Sequence, residues 1–363
     1  MEKLAMNRTF WSDKRVFLTG HTGFKGGWLA LWLAEMGAEV YGYALKPSTE
    51  PNFFTAVNVQ THLASNTIAD IRDGQALTLA MQEAKPDIVL HLAAQPLVRY
   101  SYLAPMETYA VNVMGTVNLL ESVRLTPSVR AVVNVTTDKC YENREWVWPY
   151  RENEAMGGSD PYSSSKACSE LVTAAYRRSF LDSAGVSLAS ARAGNVIGGG
   201  DWAVDRLVPD ILRALDVGRP IAVRSPFATR PWQHVLEPIS GYLILAEKLY
   251  EEGAVFADAW NFGPEDADTK SVKWIVEYLC NEVPGATWRS NPAPKQHEAN
   301  LLKLDSSKAK AELGWCPRWN LQMALDKTLQ WHQTWKMGLD MAPLTMQQIQ
   351  QYGFTLGSNE FAI

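Results

Sequence analysis

Residues 15–27 read Arg15-Val-Phe-Leu-Thr-Gly20-His-Thr-Gly23-Phe-Lys-Gly26-Gly27, and this stretch decides the fold. Arg15 to Thr19 is a short apolar run of strand type. Phe24, Trp28, Leu31, Trp32 and Met36 then recur at helical spacing. A strand that feeds a glycine loop and a helix aims free backbone N–H groups and the positive end of a helix dipole at one point. That is a ready site for a diphosphate. The glycines permit the turn, let the backbone approach a ligand and let the helix pack on the strand. Their spacing is GxxGxxG rather than the commoner GxGxxG.

Working outward, the chain alternates strands with helices. Glu39–Leu45 reads as a second strand closed by Lys46-Pro-Ser-Thr49, and Asn66–Asp73 as a third ending in acidic residues. Lys46 stands where an acid often holds the adenosine ribose; it is either an exposed strand-end lysine or a group tolerant of a 2′-phosphate. Lys85-Pro86 ends a helix that runs through Ala84. Asp87–Ala93 and Arg130–Thr136 are nearly continuous apolar runs, the mark of strands buried on both faces. Helices are expected around Met106–Leu125 and from Pro161 to Leu181, and a further strand at Ser187–Gly194. The pattern predicts an α/β fold, a doubly wound parallel sheet of Rossmann type, with ligands at the carboxyl ends of the strands. Beyond Gly198 the prolines multiply, so a smaller C-terminal substrate-binding region is expected to close over the sheet's edge. Its helices fall at Ser271–Asn281, Ser306–Leu313 and, as the last, Leu321–Lys336; the final dozen residues are expected to fray.

Composition narrows the class. The chain has 363 residues, 47% hydrophobic and 20% charged, with a net charge of −5. That is the make-up of a packed globular protein without a basic field for nucleic acid or anionic membranes. No apolar run approaches the ~20 residues of a membrane span, and the opening residues are unlike a secretory signal. Cys140, Cys168, Cys280 and Cys316 are scattered, which suits reduced cytoplasmic thiols and no metal site.

Two constellations carry chemistry. In Tyr162-Ser-Ser-Ser-Lys166 the phenol and ammonium lie four apart on one helix face. A phenol titrates near pH ~10, and Lys166 with a cationic nicotinamide is expected to lower that value. Thr136-Thr137-Asp138-Lys139-Cys140-Tyr141 follows directly on a buried strand and so faces the ligand crevice. Asp138 and Lys139 can offer an acid and a base if their surroundings move their pKa values apart.

With these residues in view, the chain resembles the extended short-chain dehydrogenase/reductase family along nearly its whole length. The resemblance rests on Thr19–Gly26, Asp70-Ile71, His91-Leu-Ala-Ala94, Tyr162-x-x-x-Lys166, Arg192-Ala-Gly-Asn195, Arg230-Pro-Trp-Gln-His234 and Leu304-Asp-Ser-Ser-Lys308 with Leu313-Gly-Trp315. Within the family it is most similar to the nucleotide-sugar 4,6-dehydratases, in their CDP-sugar branch. Thr137-Asp138-Lys139 stands where the dTDP-glucose and GDP-mannose enzymes carry Thr-Asp-Glu, and Gln95-Pro96 favours the same branch.

The resemblance implies an NAD-dependent hydro-lyase of deoxysugar (O-antigen or lipopolysaccharide-type) biosynthesis. It would take CDP-D-glucose to the 4-keto-6-deoxy sugar, as a cytoplasmic homodimer paired through the Met106–Leu125 and Pro161–Leu181 helices. It assigns residues 1–194, with a stretch near 226–258 returning, to cofactor binding, and 195–363 mainly to the nucleotide sugar. It implies catalytic roles for Thr137, Asp138, Lys139, Tyr162 and Lys166. Gly20, Thr22, Gly23, Phe24, Lys25 and Gly26 would meet the cofactor diphosphate, and Asp70 and Ile71 its adenine. Leu92, Ala93, Gln95 and Thr136 would border the ribose and nicotinamide, beside Tyr162 and Lys166. For the substrate it implies Gln95, Asn195, Arg206, Arg224, Arg230 and His234. A lysine base must shed its proton, which at pH 7 means a drop of about three units, or ~4 kcal/mol; a proton shared between Asp138 and Lys139 answers that need. Another nucleotide-sugar dehydratase, a 4-epimerase and a non-catalytic dinucleotide sensor are the competing readings.

Overall fold

The computed structural model describes residues 6–291 and 301–354. Its strands are β1 Arg15–Thr19, β2 Glu39–Ala44, β3 Ser65–Ile68, β4 Ile88–His91, β5 Ala131–Val135, β6 Ser187–Ala193, β7 Asn195–Ile197, β8 Ile221–Val223, β9 Thr229–His234, β10 Ala259–Phe262, β11 Thr269–Ser271 and β12 Trp288–Ser290. Seven of them form a sheet in the order β10-β6-β5-β4-β1-β2-β3, every neighbour parallel. The winding reverses between β1 and β4, so a crevice opens at their carboxyl ends.

Both faces of the sheet are covered. Val16 and Leu18 join one apolar cluster with Trp28, Leu29, Leu236 and Leu243, while Phe17 joins the other with Leu77, Met81 and Leu119. Alternation along a single strand thus feeds two cores. Helices Phe24–Glu35 and Leu236–Glu252 supply the first layer, and Gly74–Ala84 and Gly115–Arg124 the second. Burial on both sides explains why β4 and β5 contain hardly any exposed position. The seventh strand, β10, lies late in the chain and pairs with β6. The remaining C-terminal strands make a three-stranded sheet, β11-β9-β7, and a pair, β12-β8, around a third cluster that includes Ile211, Trp232 and Leu325.

Some boundaries differ from the sequence reading. The third strand ends at Ile68 rather than Asp73, because Asp70 folds back to accept the Arg72 backbone N–H at 2.9 Å and Asp73 caps the next helix through Ala76 N. The segment expected as one helix at 106–125 widens to a π-turn over Ala110–Met114. Helix Leu321–Lys336 is not the last, since Met341–Phe354 follows. Tyr352 on that added helix is fully buried and donates to Glu237 Oε2 at 2.5 Å. The sequence reading had placed no helix there, although Met341, Ile349 and Tyr352 join the core. Of the last dozen residues, 355–363 lie outside the described part.

Candidate active site

The glycine loop is closed by backbone rather than side chains. Gly20 has φ +80°, and a Cβ there would lie 2.8 Å from Ala93 N on the segment that follows β4. A Cβ on Gly26 would lie 2.1 Å from Gly20 O, so the helix can pack on its own loop only with glycine at that position. No side chain caps the helix that starts at Phe24. Its first-turn N–H groups have no intrahelical acceptor and point into the crevice. Thr22 Oγ1 donates to Leu45 O at 2.8 Å, which ties the loop to the end of β2. Lys25 Nζ reaches Tyr242 OH at 3.3 Å; burial, then the charges of Arg206 and Lys166, bring its pKa down to about 7.

Of the two residues expected to meet the adenine, Asp70 pairs with Arg72 at 2.5 Å and Ile71 is buried against the helix carrying Gly115. Ala93 N and Leu92 N both donate to Thr19 Oγ1 at 3.1 Å. Gln95 departs from expectation. Its amide donates to Leu97 O at 3.2 Å and Thr108 Oγ1 at 2.9 Å, and accepts from Leu97 N at 2.6 Å, so its side chain holds the loop together.

β5 and the helix Pro161–Tyr176 bring the two chemical constellations to one place. Asp160 caps that helix through Ser163 N at 2.9 Å and Pro161 sits in its first turn, which puts Tyr162 at the helix mouth. Thr137, in turn, caps the single 3-10 turn Asp138–Cys140 and accepts from Lys139 N at 3.3 Å. The Thr137 hydroxyl also donates to Asp138 Oδ1 at 2.9 Å and lies near enough to the Tyr162 phenol to draw its pKa down. Asp138 is 2% exposed, and its other oxygen, Oδ2, has no hydrogen-bond partner among the described residues. Gly194 leaves room for that oxygen: a Cβ there would stand 3.2 Å from it.

Burial raises the Asp138 carboxyl above the usual carboxylate range, against the opposing pull of Lys139, Thr137 and Arg230. A shift in that direction lets the carboxyl keep its proton to a higher pH, as an acid that donates must. The expectation that Lys166 lowers the Tyr162 phenol is corrected. Burial pushes the phenol up to about 12, and the groups drawing it down are the Thr137 hydroxyl and the Arg206 charge. The Lys166 ammonium instead donates to Val135 O at 3.3 Å, and burial lowers its own pKa to about 8 although Glu170 raises it.

The basic residues divide. Arg230, 8% exposed, lies close enough to Asp138 to lower that carboxyl's pKa, and Arg206 does the same for the Tyr162 phenol. Arg206 also pairs with Asp201 at 3.2 Å, and Arg224 pairs with Asp205 at 3.1 Å. Asn195 opens β7, half-buried. His234 is corrected as a substrate ligand: it is wholly buried between Trp28 and Trp319, ring centroids 5.8 Å and 4.9 Å away, and burial brings its pKa down to about 3. It packs the core.

One pair went unread in the sequence. Glu170, one turn beyond Lys166, meets Arg192 of β6 at 2.9 Å with both side chains almost fully buried. Glu170 also accepts from Ser190 Oγ at 2.6 Å and from Thr136 Oγ1, while Arg192 donates to Tyr141 OH at 2.8 Å. Both ends of Thr136–Tyr141 are thereby fixed. The signal was available: an arginine inside Ser187-Leu-Ala-Ser-Ala-Arg-Ala193 needs a buried carboxylate, and position 170 continues the 162, 166 stripe.

A family model described as GDP-mannose 4,6 dehydratase matches residues 17–328. The chain belongs to that family. As a nucleotide-sugar 4,6-dehydratase it is a hydro-lyase. It is 54% identical over 353 residues to a CDP-glucose 4,6-dehydratase of Salmonella typhimurium, covering 96% of this chain and 98% of that one. Two solved structures share its fold. A UDP-glucose 4-epimerase of Stenotrophomonas maltophila, with bound NAD and formylated UDP-arabinopyranose, has a TM-score of 0.78 at 21% identity and covers 90% of this chain and 100% of its own. The dTDP-glucose 4,6-dehydratase DesIV of Streptomyces venezuelae, a double mutant with NAD and DAU bound, has a TM-score of 0.77 at 23% identity, with coverage of 91% and 99%. An epimerase and a dehydratase thus fit this dehydratase's fold equally well, so the choice between reactions falls to its side chains.

Proposed function

We propose that this dehydratase converts CDP-D-glucose to CDP-4-keto-6-deoxy-D-glucose and water. One observation carries dehydration over epimerisation: a buried Asp138 carboxyl, raised in pKa and with a free oxygen, beside the tyrosine that serves carbon 4. An epimerase has no leaving group to protonate. The nucleotide follows from the 54% identity along nearly both whole chains.

NAD is the cofactor of such enzymes, and the residues present fit it. The helix start at Phe24 has no side-chain cap, and Gly20 and Gly26 keep side chains out of the tight loop in front of it. Gly20, Thr22, Gly23, Phe24, Lys25 and Gly26 would hold that diphosphate, Asp70 and Ile71 the adenine, and Leu92, Ala93 and Thr136 the nicotinamide side. When bound, NAD supplies an acceptor for the hydrogen and electron pair at carbon 4 and a donor of the same to carbon 6. Tyr162 takes the proton of the 4-hydroxyl, with the Thr137 hydroxyl, the Arg206 charge and the cationic ring favouring its phenolate. The resulting ketone acidifies carbon 5. Lys139 removes that proton and later returns it, and Asp138 protonates the departing 6-oxygen. Arg230 and Arg206 suit the sugar's diphosphate, with Asn195 beside them.

Residues 1–194, with the return near 226–258, serve the cofactor in this reading, and 195–363 mainly the nucleotide sugar. The enzyme is a cytoplasmic homodimer of deoxysugar, lipopolysaccharide-type biosynthesis. Exposed Leu103, Met106 and Met114, with Leu171 and Phe180 on the adjoining helix, support the pairing face. Among the described residues no helix is long and apolar enough to cross a membrane.

A panel of CDP-, dTDP-, GDP- and UDP-hexoses tests the reading. CDP-glucose alone should yield a product lighter by one water, with no net consumption of NAD. Isomerisation without mass change would make the chain an epimerase, and cofactor binding without turnover of any sugar a sensor.

A further inference from the structure

One cation beside the catalytic helix has no role in the reaction above. Arg99 lies on the short helix Val98–Leu103, and two residues further on the Ser101 hydroxyl accepts the backbone N–H of Tyr162 at 3.1 Å. The helix that carries Arg99 is therefore fixed to the start of the catalytic helix. Arg99 itself reaches the later part of the chain, where its Nη1 donates to Asp205 Oδ1 at 3.3 Å. Arg224 donates to that same oxygen at 3.1 Å. Two guanidinium groups thus share one carboxylate oxygen through one long bond each, although a guanidinium can grip an anion with two short parallel ones. The Arg99 Nε–H is buried and has no hydrogen-bond partner among the described residues. A buried donor left unpaired is destabilising, and a ligand that re-seats the guanidinium can give it a partner.

The two acids of the arch Asp201–Arg206 are held differently. Asp201 is 9% exposed and accepts the Ala203 N–H at 3.0 Å as well as Arg206 at 3.2 Å, so it is built into the backbone. Arg213 pins the same stretch through Trp202 O at 3.0 Å and Ala203 O at 3.1 Å. Asp205 lies beyond those pins. Its side chain is 40% exposed, and its backbone takes the left-handed conformation at φ +60°. The next residue, Arg206, is one of the cations suited to the sugar's diphosphate. Across these three ion pairs Arg99, Arg206 and Arg224 face Asp201 and Asp205, one positive charge in excess.

We propose that Arg99 is a ligand of the substrate's diphosphate, and that Asp205 is the counter-ion which Arg99 and Arg224 give up when the substrate arrives. A nucleoside diphosphate carries more charge and more acceptor oxygens than one carboxylate, so it takes both guanidinium groups and Asp205 turns to solvent. Arg99 stands on the element that holds the Tyr162 backbone, and Arg224 on the substrate-binding part. The exchange therefore seats the diphosphate against both. The inference rests on the nucleotide-sugar reading and deepens it.

Calorimetric titration of the NAD-loaded enzyme with CDP tests it. Arg99→Met should weaken CDP about ten- to a hundredfold, with NAD affinity unchanged, and should raise KM for CDP-glucose more than it lowers kcat. Arg99→Lys restores the charge without the fork and should recover part of the loss. Asp205→Asn keeps a side chain that tolerates the left-handed backbone but removes the competing charge, so CDP should bind about two- to fivefold more tightly. Undiminished CDP affinity in Arg99→Met, or an equal loss of NAD affinity there, overturns the proposal. So does CDP binding no tighter in Asp205→Asn, which would make the Arg99–Asp205 pair a structural latch. Should the methionine variant not fold, Asp205→Asn decides alone by the sign of its effect. If another nucleoside diphosphate binds in preference to CDP, the nucleotide reading fails instead, and the same variants are judged with that nucleotide.

Discussion

Asp138→Asn should halt the reaction after carbon 4 is oxidised. Asparagine fills the same space and still offers an oxygen to the Thr137 hydroxyl, which now stands 2.9 Å from Asp138 Oδ1. It has no acidic proton for the 6-oxygen. General acid catalysis contributes about a hundredfold to ten-thousandfold, so the dehydrated product should form about a thousandfold more slowly. A 4-keto sugar that keeps its 6-hydroxyl should accumulate in its place, seen by mass spectrometry of quenched reactions. The structural warrant is burial, which holds the carboxyl above its usual range despite Lys139 and Arg230. An asparagine variant that dehydrates at the unaltered rate would remove Asp138 from the chemistry.

Arg192→Met should cost the most stability. It leaves the Glu170 carboxylate buried among Thr136, Ser190 and apolar neighbours with no opposing charge. Removing one partner of such a pair destabilises by about 3–5 kcal/mol. The pH dependence has a definite sign. Burial pushes the Glu170 carboxyl up, but the Arg192 charge and its hydrogen bonds outweigh this and hold it below 4.5. In the unaltered protein its contribution is therefore complete above that value and is lost as pH falls through the depressed one. In the variant the carboxyl can fold neutral, so the deficit should narrow as pH falls toward 4.5. Denaturant midpoints for both proteins across that range measure it. A deficit that widens on acidification contradicts the ion-pair account.

How much of this was legible in the sequence follows from how local each signal is. β1, its glycine loop and the helix behind it form one contiguous unit, so Arg15–Glu35 could be read directly. Tyr162 and Lys166 share a turn, and Thr137–Lys139 follow the end of a strand, so both were found as motifs. What brings them together is the parallel pairing of β5 between β4 and β6, which no local pattern contains. The Glu170–Arg192 pair spans 22 residues between a helix and a strand, and only the fold makes them partners. His234 looked available because it lies beside Arg230 in sequence, yet the aromatic cluster of Trp28 and Trp319 encloses it. Gln95 kept its place but spends its amide on Leu97 and Thr108. The helix Met341–Phe354 has a weak apolar stripe, and its partners lie far off in sequence: Tyr352 meets Glu237, and Met341 and Ile349 join the core that Trp28 and Leu243 share.

The central claim is that one active site moves hydrogen from carbon 4 to carbon 6 of the same sugar while expelling water. CDP-glucose bearing deuterium at carbon 4, mixed with a heavy-carbon CDP-glucose without deuterium, tests it directly. The account predicts a product that has lost one water and carries the deuterium at carbon 6, with none in the heavy-carbon molecules. Deuterium lost to solvent, deuterium crossing into the heavy-carbon product, or a product of unchanged mass would contradict it.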